Sequence, residues 1–244
     1  MISTHSRGWS GISFSLPVSL TLPQPEQQLP VPHLRRIGVY GGSFDPIHLG
    51  HLVIAEEARD VLGLDQVLFV PAARQPFKDE VVATPHHRLA MVRLACEDHP
   101  AFLPEPFEVE RPPPSYTIAT LEFLAQRYGA MATFWFILGV DAALELPRWH
   151  RFPEIARLTR FALMLRPGYP HTPQLLAHHL PATVIRTARL IEGPQLTISS
   201  RDLRQRISTG RSVRYQVPEP VRHYIEAHQL YCDASQAKGE PDHD

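Results

Sequence analysis

The sequence predicts an α/β protein: a doubly wound, mostly parallel sheet with helices on both faces. Three observations carry that expectation. Apolar runs of strand length alternate with segments whose apolar residues recur at helical spacing. One run, Thr133–Leu138 (TFWFIL), is apolar throughout, as a central strand covered on both faces requires. Strands separated by helices imply right-handed crossovers within one sheet.

In chain order, Arg36–Tyr40 is a short β-type run ending in Gly41-Gly42. His51–Leu62 then carries Ile54, Ala55, Ala58, Val61 and Leu62 on a helical stripe, and Gly63 marks its C-terminal end. Gln66–Val70 is a second buried strand, followed by a loop holding Lys78. Thr84-Pro85 reads as an N-cap with proline at the first helical position, opening a helix with Leu89, Val92, Ala95 and Cys96 inward. Phe107–Glu110 is expected as a short strand, with Pro112-Pro113-Pro114 stiffening the loop after it. Ser115 is expected to cap a helix running through Tyr128, with Ile118, Leu121, Leu124 and Ala125 on one side. After Thr133–Leu138, further strands are expected at Phe161–Leu165 and Thr183–Leu190, and helices at Ser200–Ser208 and Pro218–His228.

Residues 1–33 mix Ser, Gln and Pro without a sustained period and read as a mostly disordered extension, with a start codon near Val31 as one explanation. The folded domain is expected over residues 34–232, and 233–244 as a loose polar tail. With 24 Lys+Arg against 25 Asp+Glu, the formal charge is -1, which offers no basic footprint for nucleic acid. The apolar runs are far shorter than the roughly 20 residues that span a bilayer, so no membrane partner is expected. Two cysteines, Cys96 and Cys232, make no disulfide scaffold, which suits a reducing, cytoplasmic setting. Only two lysines occur, Lys78 and Lys238, so arginine carries nearly all positive charge.

In parallel sheets ligands bind beyond the carboxyl ends of the strands. The first candidate site therefore follows Tyr40: Gly41-Gly42-Ser43-Phe44-Asp45-Pro46-Ile47-His48-Leu49-Gly50-His51. Glycines let the backbone approach a phosphate, and N–H groups at a helix start attract an anion. His48 and His51, at i and i+3, can lean towards the same anion, and Gly50 leaves room between them. A lone histidine is usually an ordinary core or surface residue; two histidines with three glycines in a strand–turn–helix context are not explained that way. The second candidate is Ile198-Ser199-Ser200-Arg201-Asp202-Leu203-Arg204. Its serines can cap a helix or offer hydroxyls to a phosphate, and Arg204, one turn on, can present a bidentate fork.

The first stretch resembles the (H/T)xGH signature of the nucleotidyltransferase superfamily, and the second its ISSTxxR element, with Arg201 where Thr is common. The segment from Arg111 to Leu121 is similar to the RxGxSYTxDTL segment of the bacterial nicotinate-nucleotide adenylyltransferase family, with Pro113 for the usual Gly and Ala119 for Asp. Gly139-Val140-Asp141 with Leu146-Pro147-Arg148-Trp149-His150 is similar to that family's GxD…LPxWH stretch, and Gly210–Pro218 also matches. The resemblance covers roughly residues 35–231 and rests on several ordered motifs.

The resemblance implies a Rossmann-like fold of nucleotidyltransferase type, with ATP and nicotinate mononucleotide as substrates and magnesium carried with ATP. It implies that His48, His51 and Arg204 stabilise charge at the phosphates. Gly41, Gly42, Ser43, Phe44, Gly50, Gly139, Asp141, Ile198, Ser199 and Ser200 would line the ATP site. Asp141 could hydrogen-bond a ribose hydroxyl or serve as a helix N-cap. Trp149 could stack on the pyridine ring or be an ordinary core tryptophan, whereas Trp135, inside the apolar strand, is expected in the core. Thr117 and nearby amides could receive a carboxylate, or Thr117 could be a plain first-turn residue. Lys78 could meet the mononucleotide phosphate or be an exposed solubilising residue. The rivals are a nicotinamide-mononucleotide enzyme, another HxGH nucleotidyltransferase and a nucleotide-sensing module without turnover; a homo-oligomer is left open.

Overall fold

A computed structural model describes residues 34–74, 81–165, 176, 180–194 and 196–232. The extension expected over 1–33, the tail expected over 233–244 and the role considered for Lys78 lie outside the described residues.

Six parallel strands form one sheet: β1 (Arg35–Gly42), β2 (Gln66–Pro71), β3 (Phe102–Pro104), β4 (Ala132–Gly139), β5 (Thr159–Leu165) and β6 (Arg189–Glu192). Their spatial order is β3-β2-β1-β4-β5-β6, so the winding reverses between β1 and β4. Such a switch point opens a crevice beyond the strands' carboxyl ends. Gly38 pairs with Val67 on one side and Trp135 on the other, placing the ends of β1, β2 and β4 side by side.

Side chains alternate across the sheet with period two. Ile37, Val39, Phe134, Phe136 and Leu138 face one core with α3 (Thr117–Tyr128), α4 (Val140–Ala143), α5 (Phe152–Leu158) and α6 (Ala182–Thr187). Tyr40, Trp135 and Ile137 face the other, with α1 (Leu49–Leu62), α2 (Pro85–Cys96), α7 (Ser200–Ser208) and α8 (Glu219–Ala227). The sheet is thus doubly wound, as the alternating pattern predicts.

Local signals act where their chemistry places them. Gly63 ends α1 in the left-handed conformation (φ 58°), and Thr84 caps α2 by accepting from the His87 amide. Trp135 is buried, with the Arg160 guanidinium over its ring.

Four expectations are corrected. Phe107–Glu110 forms a turn: the Val109 and Glu110 amides both donate to the Pro106 carbonyl, and the strand paired with β2 is Phe102–Pro104. Ser115 does not cap α3. Its hydroxyl accepts from the Ala73 amide (3.0 Å), tying this loop to the one after β2, and Tyr116 holds the cap position. Thr183–Leu190 divides into α6 and β6, because the Val184 and Ile185 amides turn back to the Pro181 carbonyl and bury Val184. Burial here outweighs the β preference of Thr183, Val184 and Ile185. Val61 points outward on α1, 55% exposed.

Candidate active site

Gly42 ends β1 and the chain turns sharply. A Cβ on Gly42 would lie 3.0 Å from the Phe44 ring, and one on Gly41 would lie 3.3 Å from the Phe136 ring. The two glycines therefore make room for rings beneath the turn. Phe44 adopts a left-handed backbone (φ 49°) that sends its ring into the core, 2% exposed, against Tyr40, Phe69 and His51. The resemblance puts Phe44 in the ATP-binding set; its ring lies in the core and backs His51, at 5.1 Å between centroids.

His48 is the N-cap residue of α1 and His51 lies in its first turn. The two imidazoles stack at 3.7 Å and 22°. The His48 amide donates to His51 Nδ1 (3.2 Å), so that nitrogen is an acceptor and the neutral ring carries its proton on Nε2. His51 is thereby set as a hydrogen-bond donor at its far nitrogen. Gly50 makes the stack feasible, since a Cβ there would lie 3.0 Å from His48 Nδ1 and 3.8 Å from Ile198. The start of α1 is not a row of open amides. Leu49 N donates to the Gln216 carbonyl (2.9 Å) and His51 N to the His48 carbonyl. The 211–217 loop accordingly seats on the helix that carries the histidines.

The second motif closes directly on this turn, across more than 150 residues of chain. Ser200, first residue of α7, donates its hydroxyl to the Pro46 carbonyl (2.9 Å), and Arg204 Nη1 donates to the Asp45 carbonyl (2.8 Å). Ser199 caps α7 by accepting from the Asp202 amide (3.1 Å), which leaves its own hydroxyl proton to donate elsewhere. The sequence lets both serines cap the helix or offer hydroxyls to a phosphate. The structure divides the work: Ser200 fastens α7 to the turn, and Ser199 keeps a proton to give. Arg204 is fastened through one terminal nitrogen, so the rest of its fork can face the space between the motifs. Arg201 is exposed on the same helix.

Beneath the turn lies a buried polar cluster built on Asp45 and Arg88. Asp45, 2% exposed, accepts from Val82 N (2.8 Å), Ala83 N (3.1 Å) and the Tyr231 hydroxyl (2.7 Å). Arg88 is fully buried and donates to the carbonyls of Ala83, Ser43 and Ala73, tying the loops after β1 and β2 together. Burial holds the Arg88 guanidinium below its ordinary pKa, opposed by the nearby Asp45 charge. Burial, with the Asp45 charge beside it, pushes the Tyr231 hydroxyl up and keeps it a donor.

Beyond β4, Gly139 is the N-cap residue of α4 and Asp141 sits exposed in its first turn, so the N-cap alternative for Asp141 is set aside. Trp149 is half-buried, its ring edge-on to Phe136 (5.6 Å, 85°), and the Phe136 ring also underlies Gly41. One phenylalanine thus links the phosphate-type turn to the tryptophan. Tyr116 and His150 pack ring to ring at 4.5 Å, bringing the Ser115-Tyr116-Thr117 and Arg148-Trp149-His150 segments together, with Thr117 half-buried at the start of α3.

Residues 39–206 match the family model described as Cytidylyltransferase-like. A protein of Roseiflexus sp. (strain RS-1) named "Probable nicotinate-nucleotide adenylyltransferase" is 51% identical over 196 residues, covering 80% of this chain and 97% of the relative. The chain belongs to the nicotinate-nucleotide adenylyltransferase family. A relative from Herpetosiphon aurantiacus with the same name is 44% identical over 198 residues, covering 81% of this chain and 99% of its own. The fold is also that of Plasmodium falciparum nicotinic acid mononucleotide adenylyltransferase complexed with NaAD, with TM-score 0.66 at 20% identity, over 81% of this chain and 97% of that one. As a member of this family the chain is a nucleotidyltransferase.

Within this family frame, the residues missed by sequence reasoning are Asp45, Arg88, Phe136 and Tyr231. Asp45 lies inside the first motif, where nothing in its spacing marks a buried carboxylate. Arg88 carried a signal, a charged residue next to Leu89 on the inward side of α2. Tyr231, 186 positions from Asp45, carried none.

Proposed function

We propose that this protein transfers the adenylyl group of ATP to nicotinate mononucleotide, forming deamido-NAD and pyrophosphate. The observation that carries this reading is the closure of the α7 start on the β1 turn through Ser200–Pro46 and Arg204–Asp45. That closure gathers two imidazoles, a hydroxyl and a guanidinium at the switch point between β1 and β4. Such a donor set suits a polyphosphate.

The nucleophile is the phosphate of the mononucleotide. Its second pKa is about 6, so at neutral pH it is largely a dianion and needs no general base. One of its oxygens bonds to the α-phosphorus as the bond to the bridging oxygen breaks, and pyrophosphate departs. The barrier is the approach of two anions, so positioning and charge neutralisation dominate. His51 donates from Nε2 to the charge that develops at the phosphates, with His48 stacked behind it. Arg204 and the Ser199 hydroxyl hold the polyphosphate, while Gly41, Gly42 and Gly50 admit its close approach along the Ser43 and Ile198 backbone. Magnesium arrives as part of the ATP complex. The buried Asp45 carboxylate beneath the turn has both oxygens engaged by protein donors, so we assign the metal to the ATP phosphates and not to it.

On the other side of Phe136, Trp149 offers a ring for the pyridine, and Thr117 with the first amides of α3 receives its carboxylate. Asp141 accepts from a ribose hydroxyl. Among the described residues no helix is long and apolar enough to cross a membrane. The test is purified protein with ATP and magnesium, offered nicotinate and nicotinamide mononucleotide separately, with product measured by chromatography. Dinucleotide only from the nicotinate form is expected. Equal rates would overturn the carboxylate preference, and no dinucleotide from either would overturn the function.

A further inference from the structure

The Asp45 carboxylate pairs with Arg204 at 3.6 Å (Oδ2 to Nη1), longer than a hydrogen-bonded ion pair, although both side chains are largely buried. Opposite charges that near each other would contract if the carboxylate could swing. It is held by three donors: the Val82 amide on one oxygen, the Ala83 amide and the Tyr231 hydroxyl on the other. The two amides belong to the chain leading into α2, but the hydroxyl comes from beyond α8. Tyr231 is 8% exposed and adopts a left-handed backbone (φ 66°), a conformation that a non-glycine residue keeps only where its surroundings enforce it.

From this geometry we infer that Tyr231 is a positioning residue for the transfer reaction. Its hydroxyl fixes the Asp45 carboxylate so that Arg204 stays fastened to the turn by one nitrogen and presents the remainder of its fork to the polyphosphate. The inference rests on the proposed contact between Arg204 and ATP. Without the hydroxyl, the carboxylate turns to Arg204 and competes with ATP for it.

Tyr231→Phe removes one oxygen and keeps the ring. A lost hydrogen bond to a charged group corresponds to a rise in the ATP KM on the order of tenfold. The mononucleotide KM stays at its parental value and kcat changes little. In an Arg204→Ala background the same substitution is expected to leave the ATP KM where Arg204→Ala has put it. If Arg204→Ala alone leaves the ATP KM unchanged, the assigned contact of Arg204 is wrong. If Arg204→Ala raises it but Tyr231→Phe does not, or if the two effects multiply, the role of Tyr231 is overturned. A fall in kcat with both KM values constant likewise overturns it, because that is the signature of a partly unfolded enzyme. Should Tyr231→Phe not fold, Asp45→Asn gives the second reading. Removing the competing charge leaves the ATP KM at or below the parental value, and a tenfold rise would contradict the inference.

Discussion

Hydrogen bonds in this site distinguish the side chains that fasten the turn from those that the proposed reaction uses. His51 accepts from the His48 amide at Nδ1, which leaves Nε2 to donate. His51→Ala is expected to cut kcat on the order of 100-fold, the usual effect of removing one preorganised donor from a developing charge. The ATP KM should move much less; steady-state kinetics in both substrates checks this, and near-parental turnover would remove His51 from the chemistry. Trp149 has a different signature in the proposed reaction, since it touches the ring that underlies Gly41 and is assigned the pyridine ring there. Trp149→Ala should raise the mononucleotide KM without raising that for ATP, and an equal rise in both would count against stacking. Most charged side chains matter far less. Glu219 is held down to about 2 by Arg222, yet both belong to an exposed ion-pair run on α8, of a kind that contributes little to stability.

Elements matter here through where they begin. α1 and α7 start beside each other, and each start is occupied: the Gln216 carbonyl receives the first amide of α1, and the Ser199 hydroxyl receives the Asp202 amide in α7. The shape of the α1 start is sensitive at Gly50. Its missing Cβ is the space that the His48 ring fills at 3.0–3.1 Å, so Gly50→Ala must displace a buried imidazole. We expect kcat to fall by at least tenfold, while the thermal midpoint drops by the equivalent of only about 1–2 kcal/mol, the range of modest overpacking. Circular dichroism beside kinetics would separate the two; intact turnover would show that the His48–His51 stack is dispensable.

At the scale of the whole molecule, the buried Arg88 guanidinium, beside the Asp45 carboxylate, joins the loops beyond β1 and β2. Arg88→Met would leave the carbonyls of Ser43, Ala73 and Ala83 without their donor, and a loss of roughly 3–5 kcal/mol in chemical denaturation is expected. A loss under 1 kcal/mol would mean that the loops are held otherwise. Glu105 links the end of β3 to α3 through Arg127 (2.8 Å), and it is 4% exposed. Burial pushes its carboxyl above 4.5, outweighing the Phe107 amide and Arg127, which both favour the charged form. The fold therefore favours the protonated form more than the unfolded chain does. Its stabilising contribution is complete below the ordinary value of 4.5 and is lost as pH rises through the raised value. Relative to the parent, Glu105→Gln should thus gain in melting temperature as pH goes from below 4.5 to neutrality, and a difference independent of pH would refute this.

The alternation of strand and helix, the caps at Gly63 and Thr84 and the motifs at His48–His51 and Ser199–Arg204 were all legible in the chain, because each depends on neighbours within a turn or two of backbone. Phe107–Glu110 and Thr183–Leu190 were not, since apolar and β-branched residues there settle into turn and helix once burial and Pro106 or Pro181 decide the backbone. By itself the sequence determined the fold class, the family and the motifs proposed to carry phosphate chemistry. Tertiary structure alone decided which of them donate and which fasten: Ser200 against Ser199, the ring of Phe44 in the core, and the Asp45–Tyr231 bond beneath Arg204. The physical reason is that a hydrogen bond has one donor and one acceptor at a set distance. Partners separated by 150 residues or more can be paired only after the sheet has closed around its switch point.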